Sequence, residues 1–198
     1  MSFHRFKTRR SKFGGSFRLL RLFWQDRRGM GAVEFAILVP LLLVLYLSAF
    51  ELTMALSVSK RTTVSAGAIA DMVARQSTVT KSYLATSADL LGALFVPYKT
   101  TGYSIKLTGI TLDSNAKATV AWSWAQDGSR PYTVGNTVTM PSGLAVASSF
   151  FVHAEVTVPH ELVTYLPGLA GSTTTTISIS DDYYYRQRQN DSITCSDC

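Results

Sequence analysis

The feature that most constrains this chain is a long apolar run near its N-terminus. The residues from Phe35 to Phe50 include no charged side chain, and the apolar segment extends to Leu56. As a helix, residues 35–56 would be about 33 Å long at ~1.5 Å per residue. The hydrocarbon core of a bilayer is about 30 Å thick. A core helix of a soluble domain is the alternative, but the length favours a transmembrane helix at about 35–56.

The charge of the chain is concentrated before this run. The 198-residue chain has a formal net charge of +6, yet residues 1–29 hold nine of the 19 Lys and Arg and one acid. Because positive residues stay on the cytoplasmic side, we expect a cytoplasmic N-terminus and an extracytoplasmic C-terminal part. Basic residues in a tail do not form the charged face of a nucleic-acid-binding domain, so we predict membrane lipid and no nucleic acid as partner.

A cleaved secretory signal peptide is a second alternative for the apolar run. Such a peptide has an apolar stretch of roughly 7–15 residues followed by a small-residue cleavage site. Here the run is longer and continues into residues 57–76, in which apolar residues recur near one helical face and no Pro interrupts. We therefore predict one helix over 30–76, transmembrane in its first half, after a basic leader (1–29) and before an extracytoplasmic domain (77–198).

Three residues in or beside the span are unusual for a lipid environment. Glu34 and Glu51 lie near its two ends, and an acid at the bilayer centre costs about 2.5–3.5 kcal/mol, less near the interfaces. Glu51 is therefore either an acid with a protein partner or an interfacial residue in contact with water. Pro40 lacks a backbone donor, so it predicts a kink in the helix.

The C-terminal part has the alternation of an antiparallel sheet. We predict a short helix at 87–94 with Ser87 as N-cap, and then strands at 103–112, 117–124, 150–159 and from Thr173 to about Tyr185. Gly109 predicts a bulge. Alternation places Ala118, Val120, Trp122 and Trp124 on one face of the second strand, and Val152, Ala154, Val156 and Val158 on one face of the third. The predicted fold class is α+β, with the long N-terminal transmembrane helix continuing into a domain with a four-stranded antiparallel sheet.

The candidates for catalysis or metal binding are weak. His153 and Glu155 share a strand face, with His160 and Glu161 beyond, but Thr164 stands where the H-E-x-x-H zinc motif needs its second His. We interpret these four as solvent-facing strand residues. Trp122 and Trp124 could form a sugar-binding platform, although core packing fits the alternation better. We expect no enzyme activity, no cofactor and no metal.

The chain ends in Cys195-Ser-Asp-Cys198. This spacing could bind metal with a second cysteine pair, which the sequence lacks. With the domain outside the cytoplasm, oxidation is permitted, so a terminal disulfide between Cys195 and Cys198 is favoured. A bond to a partner chain is the alternative.

The start of the helix resembles a known signal. Arg27-Arg28-Gly29-Met30-Gly31-Ala32-Val33-Glu34-Phe35 resembles a class III prepilin cleavage site. With Pro40 and Glu51-Leu52, the pattern resembles the TadE/TadG-like minor pilins, or pseudopilins, of tight-adherence (Flp) type IV pili. Weaker similarities follow at Ala70-Asp71-Met72-Val73, Pro97-Tyr98, Val120-Ala121-Trp122-Ser123, Tyr184-Tyr185-Arg186-Gln187-Arg188 and Thr194-Cys195.

The resemblance implies processing and assembly. A prepilin peptidase would cut between Gly29 and Met30, so that Glu34 becomes the fifth residue of the mature protein, followed by Phe35. In this family Glu34 would pair with the free N-terminal amine of a neighbouring subunit. The implied partners are the prepilin peptidase, other pilin subunits and the pilus assembly platform. The implied fold is pilin-like, and the implied location is the bacterial inner membrane, single-pass, and the assembled pilus.

Two further hypotheses follow from the same residues. The chain could be an uncleaved, signal-anchored binding module or adhesin, with ligand contacts on the loop at 126–143. It could also be a membrane-anchored enzyme, for which the sequence offers no constellation of residues.

Overall fold

In the computed structural model, the described residues are 29–98, 101–141, 143–162, 175–188 and 191–198. The predicted leader up to residue 28 and the predicted start of the fourth strand, Thr173, lie outside this part of the chain. The chain divides into two units, Met1–Leu47 and Ser48–Cys198.

One long helix, α1, runs over Met30–Ala74 and continues through Pro40. None of its most apolar 18 residues is buried, which is compatible with a single-pass membrane anchor. Its first buried residue is Val58. From there burial follows the helical period of 3.6 residues, at Val58, Thr62, Ser65, Ala66, Ile69, Ala70, Val73 and Ala74.

Two short helices follow a two-residue strand, β1 (Thr78–Val79): α2 (Lys81–Ala85) and α3 (Ser87–Phe95). Thr80 caps α2, because its hydroxyl accepts a hydrogen bond from the Tyr83 amide. The prediction that Ser87 is an N-cap is wrong. Ser87 is the first residue of α3, and its hydroxyl instead donates to the carbonyl of Leu84.

The main sheet has four antiparallel strands in the order β3-β2-β4-β5. The strands are β2 (Ser104–Leu112), β3 (Ala118–Ala125), β4 (Ser149–Glu161) and β5 (Thr176–Arg186). The predicted α+β class is confirmed, with a long apolar helix followed by a four-stranded antiparallel sheet. A further strand, β6 (Thr194–Cys195), pairs in parallel with β1, and the sequence did not indicate this second sheet.

The helix face of the main sheet packs against the second half of α1. Its apolar side chains come from every second residue of β4, as predicted, with Val152, Ala154, Val156 and Val158 in one core cluster with Ile69 and Val73. The opposite, outer face carries a smaller cluster of Ile110, Leu112, Ala118 and Phe151. The sheet is thus covered on both faces where these clusters lie.

A bulge between β2 and β3 divides β3 between the two faces. Gly109 pairs with Trp122 but Ile110 pairs with Val120, so Ala121 is the extra residue. Because one extra residue inverts the alternation, Trp122 and Trp124 join the core against α1, whereas Ala118 belongs to the outer cluster. The prediction that all four apolar residues of β3 share one face is therefore wrong.

Gly109 leaves space for two large aromatic side chains. A Cβ at this position would lie 2.4 Å from the Trp122 ring and 2.7 Å from the Phe150 ring. Both of those side chains are almost completely buried. The glycine in the middle of β2 therefore permits close packing of aromatic rings over the backbone, in addition to its place beside the bulge.

Candidate functional site

The residues of the predicted cleavage signal are exposed at the start of α1. Met30 is 59% exposed and Phe35 is 69% exposed. A Cβ at Gly29 would meet no described atom within 4 Å, so there is open space beside its α-carbon. Glu34 is exposed as well, and within the described part of the chain it forms no ion pair. This geometry presents the Gly29–Met30 bond and the Glu34 carboxylate to other molecules.

The comparison with known proteins concerns this same region. Residues 29–71 match the family model described as TadE-like protein. This segment is TadE-like. The match starts at Gly29 and covers most of α1. The resemblance to the TadE/TadG-like family, inferred from the residues around Gly29, is therefore confirmed. No curated protein and no solved structure matches the chain.

The TadE-like match connects the protein with tight-adherence pili and with pilus-related partners in general. It ends at Asp71, before the sheet begins.

The second acid of α1, Glu51, lies against the sheet. Its carboxylate is 3.1 Å from Nε2 of His160 near the end of β4. The two side chains are only 12% and 9% exposed. Of the two interpretations of Glu51, the structure supports the acid with a protein partner. The interpretation of His160 as a solvent-facing residue is wrong, because β4 continues past Pro159 and turns His160 toward α1.

A second polar contact lies one to three turns further along α1. The hydroxyls of Ser57 and Tyr98 are 3.0 Å apart. The guanidinium of Arg61 donates to the carbonyls of Leu94 and Val96, at 2.6 and 3.1 Å, and lies 5.0 Å from the centre of the Tyr98 ring. Arg61 thus satisfies the free carbonyls at the C-terminal end of α3, a favourable place for a cation.

Along its second half, α1 follows β5. Thr63 donates a hydrogen bond to Asp181, Gly67 packs against the Tyr183 ring, and Tyr185 lies near Asp71. Four helical residues rise about 6 Å and two strand residues about 6.6 Å, so the two elements stay in register over these three contacts. The hydrogen bond from Arg75 to Asp71 lowers the pKa of Asp71.

On the outer face, His153 lies between two carboxylates. Its Nε2 is 3.1 Å from Asp182, and its Nδ1 is 4.0 Å from Glu155. Its ring stacks on Tyr184 with centroids 4.1 Å apart and planes 9° apart. His153 is 9% exposed, so its interpretation as a solvent-facing residue is also wrong. His153 and His160 lie on opposite faces of the sheet, so they do not converge on one metal site.

The outer loop, residues 126–141 and 143–148, contributes Tyr132 to this cluster. The Tyr132 hydroxyl donates to Glu155 at 3.0 Å, and its amide donates to the Ser123 hydroxyl. Desolvation and the neighbouring Glu155 raise the pKa of Tyr132 to about 12. Desolvation and the charge of Asp182 raise the pKa of Tyr184. Both shifts show a partly water-excluded site beside negative charge.

At the C-terminus, Cys195 and Cys198 form a disulfide. Their sulfurs and the Asp197 carboxylate lie within 4.8 Å of one another. Thiolates bind metal, and sulfurs that share a disulfide are not thiolates. Asp197 also accepts a hydrogen bond from the Lys81 amide at the start of α2, so this terminal loop closes against the segment that follows α1.

Several of these residues carried no signal in the sequence. Arg61, Tyr132 and Asp182 gain their roles from partners at least 23 positions away. Such contacts depend on how strands and loops meet, which local patterns do not specify. Glu51 did carry a signal, because an acid beside a transmembrane run calls for a partner.

Proposed function

We propose that this protein is a minor pilin, or pseudopilin, of a tight-adherence pilus and acts in pilus assembly or envelope anchoring. The observation that carries the proposal is the TadE-like match that begins at Gly29, together with the exposed Gly29–Met30 bond and the exposed apolar surface that follows. A prepilin peptidase cuts this bond and leaves Met30 as the new N-terminus.

The membrane span in this proposal ends before Glu51. The His160 contact leaves Glu51 only 12% exposed, so on this side of α1 lipid contact ends near Phe50, whereas Leu52 and Leu56 on other sides stay exposed. Met30–Phe50 as a helix is about 32 Å long, which matches a bilayer core of about 30 Å. The N-terminus faces the cytoplasm and the sheet lies outside the bacterial inner membrane, because the basic residues precede the span.

Glu34 is the assembly residue in this proposal. In the described part of the chain it forms no ion pair, so its charge is available to another subunit. A carboxylate within lipid is stabilised by an ammonium at short range, and the N-terminal amine created by cleavage supplies one. Other pilin subunits and the assembly platform are the corresponding partners.

Cleavage is tested by peptide mass mapping of membrane-extracted protein from cells that contain a prepilin peptidase. We expect a mature N-terminus at Met30. Gly29→Val abolishes the cut, whereas Gly31→Val is the matched control, because both glycines have open space for a side chain and only Gly29 precedes the bond. A native N-terminus at Met1 contradicts the proposal and favours an uncleaved anchored binding module.

Assembly is tested separately with Glu34→Ala. We expect unchanged membrane insertion and processing but loss of piliation, because the subunit lacks the charge for its neighbour's amine. Glu34→Asp, which keeps the carboxylate, is the control and should retain part of the function. Normal piliation in the Glu34→Ala variant would contradict the proposal that Glu34 acts in assembly.

A further inference from the structure

The outer face of the sheet contains a small cavity of about 160 Å³. Its floor comes from three neighbouring strands, through Thr108, Ile110, His153 and Tyr184. The outer loop forms its wall, through Tyr132, Val138 and Thr139. The cavity lies on the face opposite to α1, and none of its lining residues belongs to the TadE-like segment.

The floor is ordered by strand pairing. Thr108 is the register partner of His153 in β4, and His153 is the register partner of Tyr184 in β5. The three side chains therefore stand in one row across the sheet. Tyr184 covers one face of the imidazole, which leaves the opposite face of the imidazole, on the Thr108 side, for the cavity.

The polar groups that line the cavity are held in place by hydrogen bonds to side chains outside the lining. Glu155 accepts from the Tyr132 hydroxyl at 3.0 Å, and Asp182 holds His153 at 3.1 Å. Thr108 and Ser123 hydroxyls are 3.3 Å apart. Both carboxylates thus orient lining groups and do not themselves line the cavity. Such fixed groups lower the ordering cost of binding a ligand.

The lining determines the charge and chemistry of a ligand. None of the seven lining residues is Asp, Glu, Lys or Arg, and the charges next to them are the carboxylates of Glu155 and Asp182. An anionic ligand would therefore lose water without gaining an opposite charge. Four lining residues carry a hydroxyl: Thr108, Thr139, Tyr132 and Tyr184. The Tyr132 hydroxyl already donates to Glu155, so it can only accept from a ligand, whereas a free hydroxyl can donate or accept. Ile110 and Val138 provide apolar contact, and the imidazole provides a flat surface.

We propose that this cavity binds a single neutral sugar residue. The hydroxyls of the sugar bond to the threonine and tyrosine hydroxyls, and its C–H face lies against Ile110, Val138 and the imidazole. The volume suits one such ring and is small compared with pockets for drug-sized ligands, which are about 300–1,000 Å³. Thr139 is exposed at the rim of the cavity, so the cavity is open to solvent there. The bound sugar can therefore be the terminal residue of a longer glycan.

The binding test uses the full chain in nanodiscs, because many detergents carry sugar head groups. Saturation-transfer NMR is recorded with the methyl glycosides of glucose, galactose, mannose and N-acetylglucosamine. At least one should bind with a Kd of about a millimolar, as expected for so small a ligand. Galacturonate is the anionic counterpart of galactose, and it should bind at least about tenfold more weakly than galactose.

Two variants place the binding in this cavity. Thr139→Phe fills the cavity from an exposed position and should abolish the signal. Val134→Phe is the matched control, since Val134 is on the same loop, 55% exposed and outside the lining. Tyr132→Phe, which loses only a hydroxyl, should weaken binding about three- to tenfold and serves if Thr139→Phe does not fold.

Three results would overturn the proposal: no neutral glycoside binds, the anionic counterpart binds equally well, or the variant with the filled cavity binds like the wild type. None of these results depends on processing at Gly29. The proposals of sugar binding and of pilin function are therefore tested independently of each other.

Discussion

The two parts of α1 have the same secondary structure but different surroundings. From Met30 to Phe50 no side chain is buried, and large apolar residues such as Ile37 and Leu42 are 70% and 59% exposed. From Val58 to Ala74 eight residues are buried, and most of these have small side chains. Large apolar residues on every side suit lipid, whereas one small apolar stripe suits a protein surface.

The comparison shows that burial, and not helix formation, separates the anchor from the domain. Glu51 and Arg61 lie near the change between the two parts, and each is bonded to the domain that contains the sheet. These polar contacts hold α1 to the domain without requiring further apolar residues on the helix. The following predictions test the comparison, from the largest expected effect to the smallest.

Truncating one side chain in each part should have very different effects. Ile69 is fully buried, so Ile69→Ala should lower the free energy of unfolding of the domain by about 2–5 kcal/mol. Leu42→Ala, in the exposed part, should leave it unchanged. Denaturation followed by the fluorescence of the buried Trp122 and Trp124 measures both. Equal losses would mean that the first part also packs on the domain.

The sheet side of the same packing is tested at Gly109. Gly109→Ala places a methyl group 2.4 Å from the Trp122 ring and should cost about 1–3 kcal/mol. Gly92→Ala in α3 is the control, because nothing lies within 4 Å there and alanine favours a helix by about 0.5–1 kcal/mol. A stable Gly109→Ala protein would show that Trp122 can move without loss.

The contact between Glu51 and His160 is expected to have an intermediate effect. Glu51→Ala leaves His160 buried without its acceptor and should cost about 1–3 kcal/mol. Glu51→Gln keeps a carbonyl acceptor and should cost less. A double-mutant cycle with His160→Ala isolates the coupling between the two side chains. Additive effects would show that the pair does not hold the helix to β4.

The smallest effect concerns the outer face, which α1 does not cover. The pKa of Tyr132 is about 12, so its hydroxyl should titrate roughly two pH units above an ordinary tyrosine. A raised pKa means that the neutral phenol is favoured in the folded state. The stability that the neutral Tyr132 phenol contributes to the folded state is therefore present below about pH 10 and lost as the pH rises through about 12. Ultraviolet titration, with Tyr132→Phe as control, measures the shift.

The predictability of the fold differs between its elements. The exposed run of α1 and the alternation of β4 are local patterns, so they were predicted with the correct faces. In β3 the same reasoning failed, because a bulge is a property of two paired strands and Ala121 looks like any other strand residue. His153 and His160 were interpreted as solvent-facing for a related reason: their partners come from β5 and α1.

The sequence by itself determined the long helix, the exposed cleavage pattern around Gly29 and the four strands, because each depends on residues that are neighbours in the chain. Only the tertiary structure decided that Glu51 meets His160, that Trp122 and Ala118 face opposite ways, and that Tyr132 closes a cavity over His153. The contacts of Glu51 with His160 and of Tyr132 with Glu155 join residues 109 and 23 positions apart. They depend on strand register and loop placement, which the sequence specifies only through the fold as a whole.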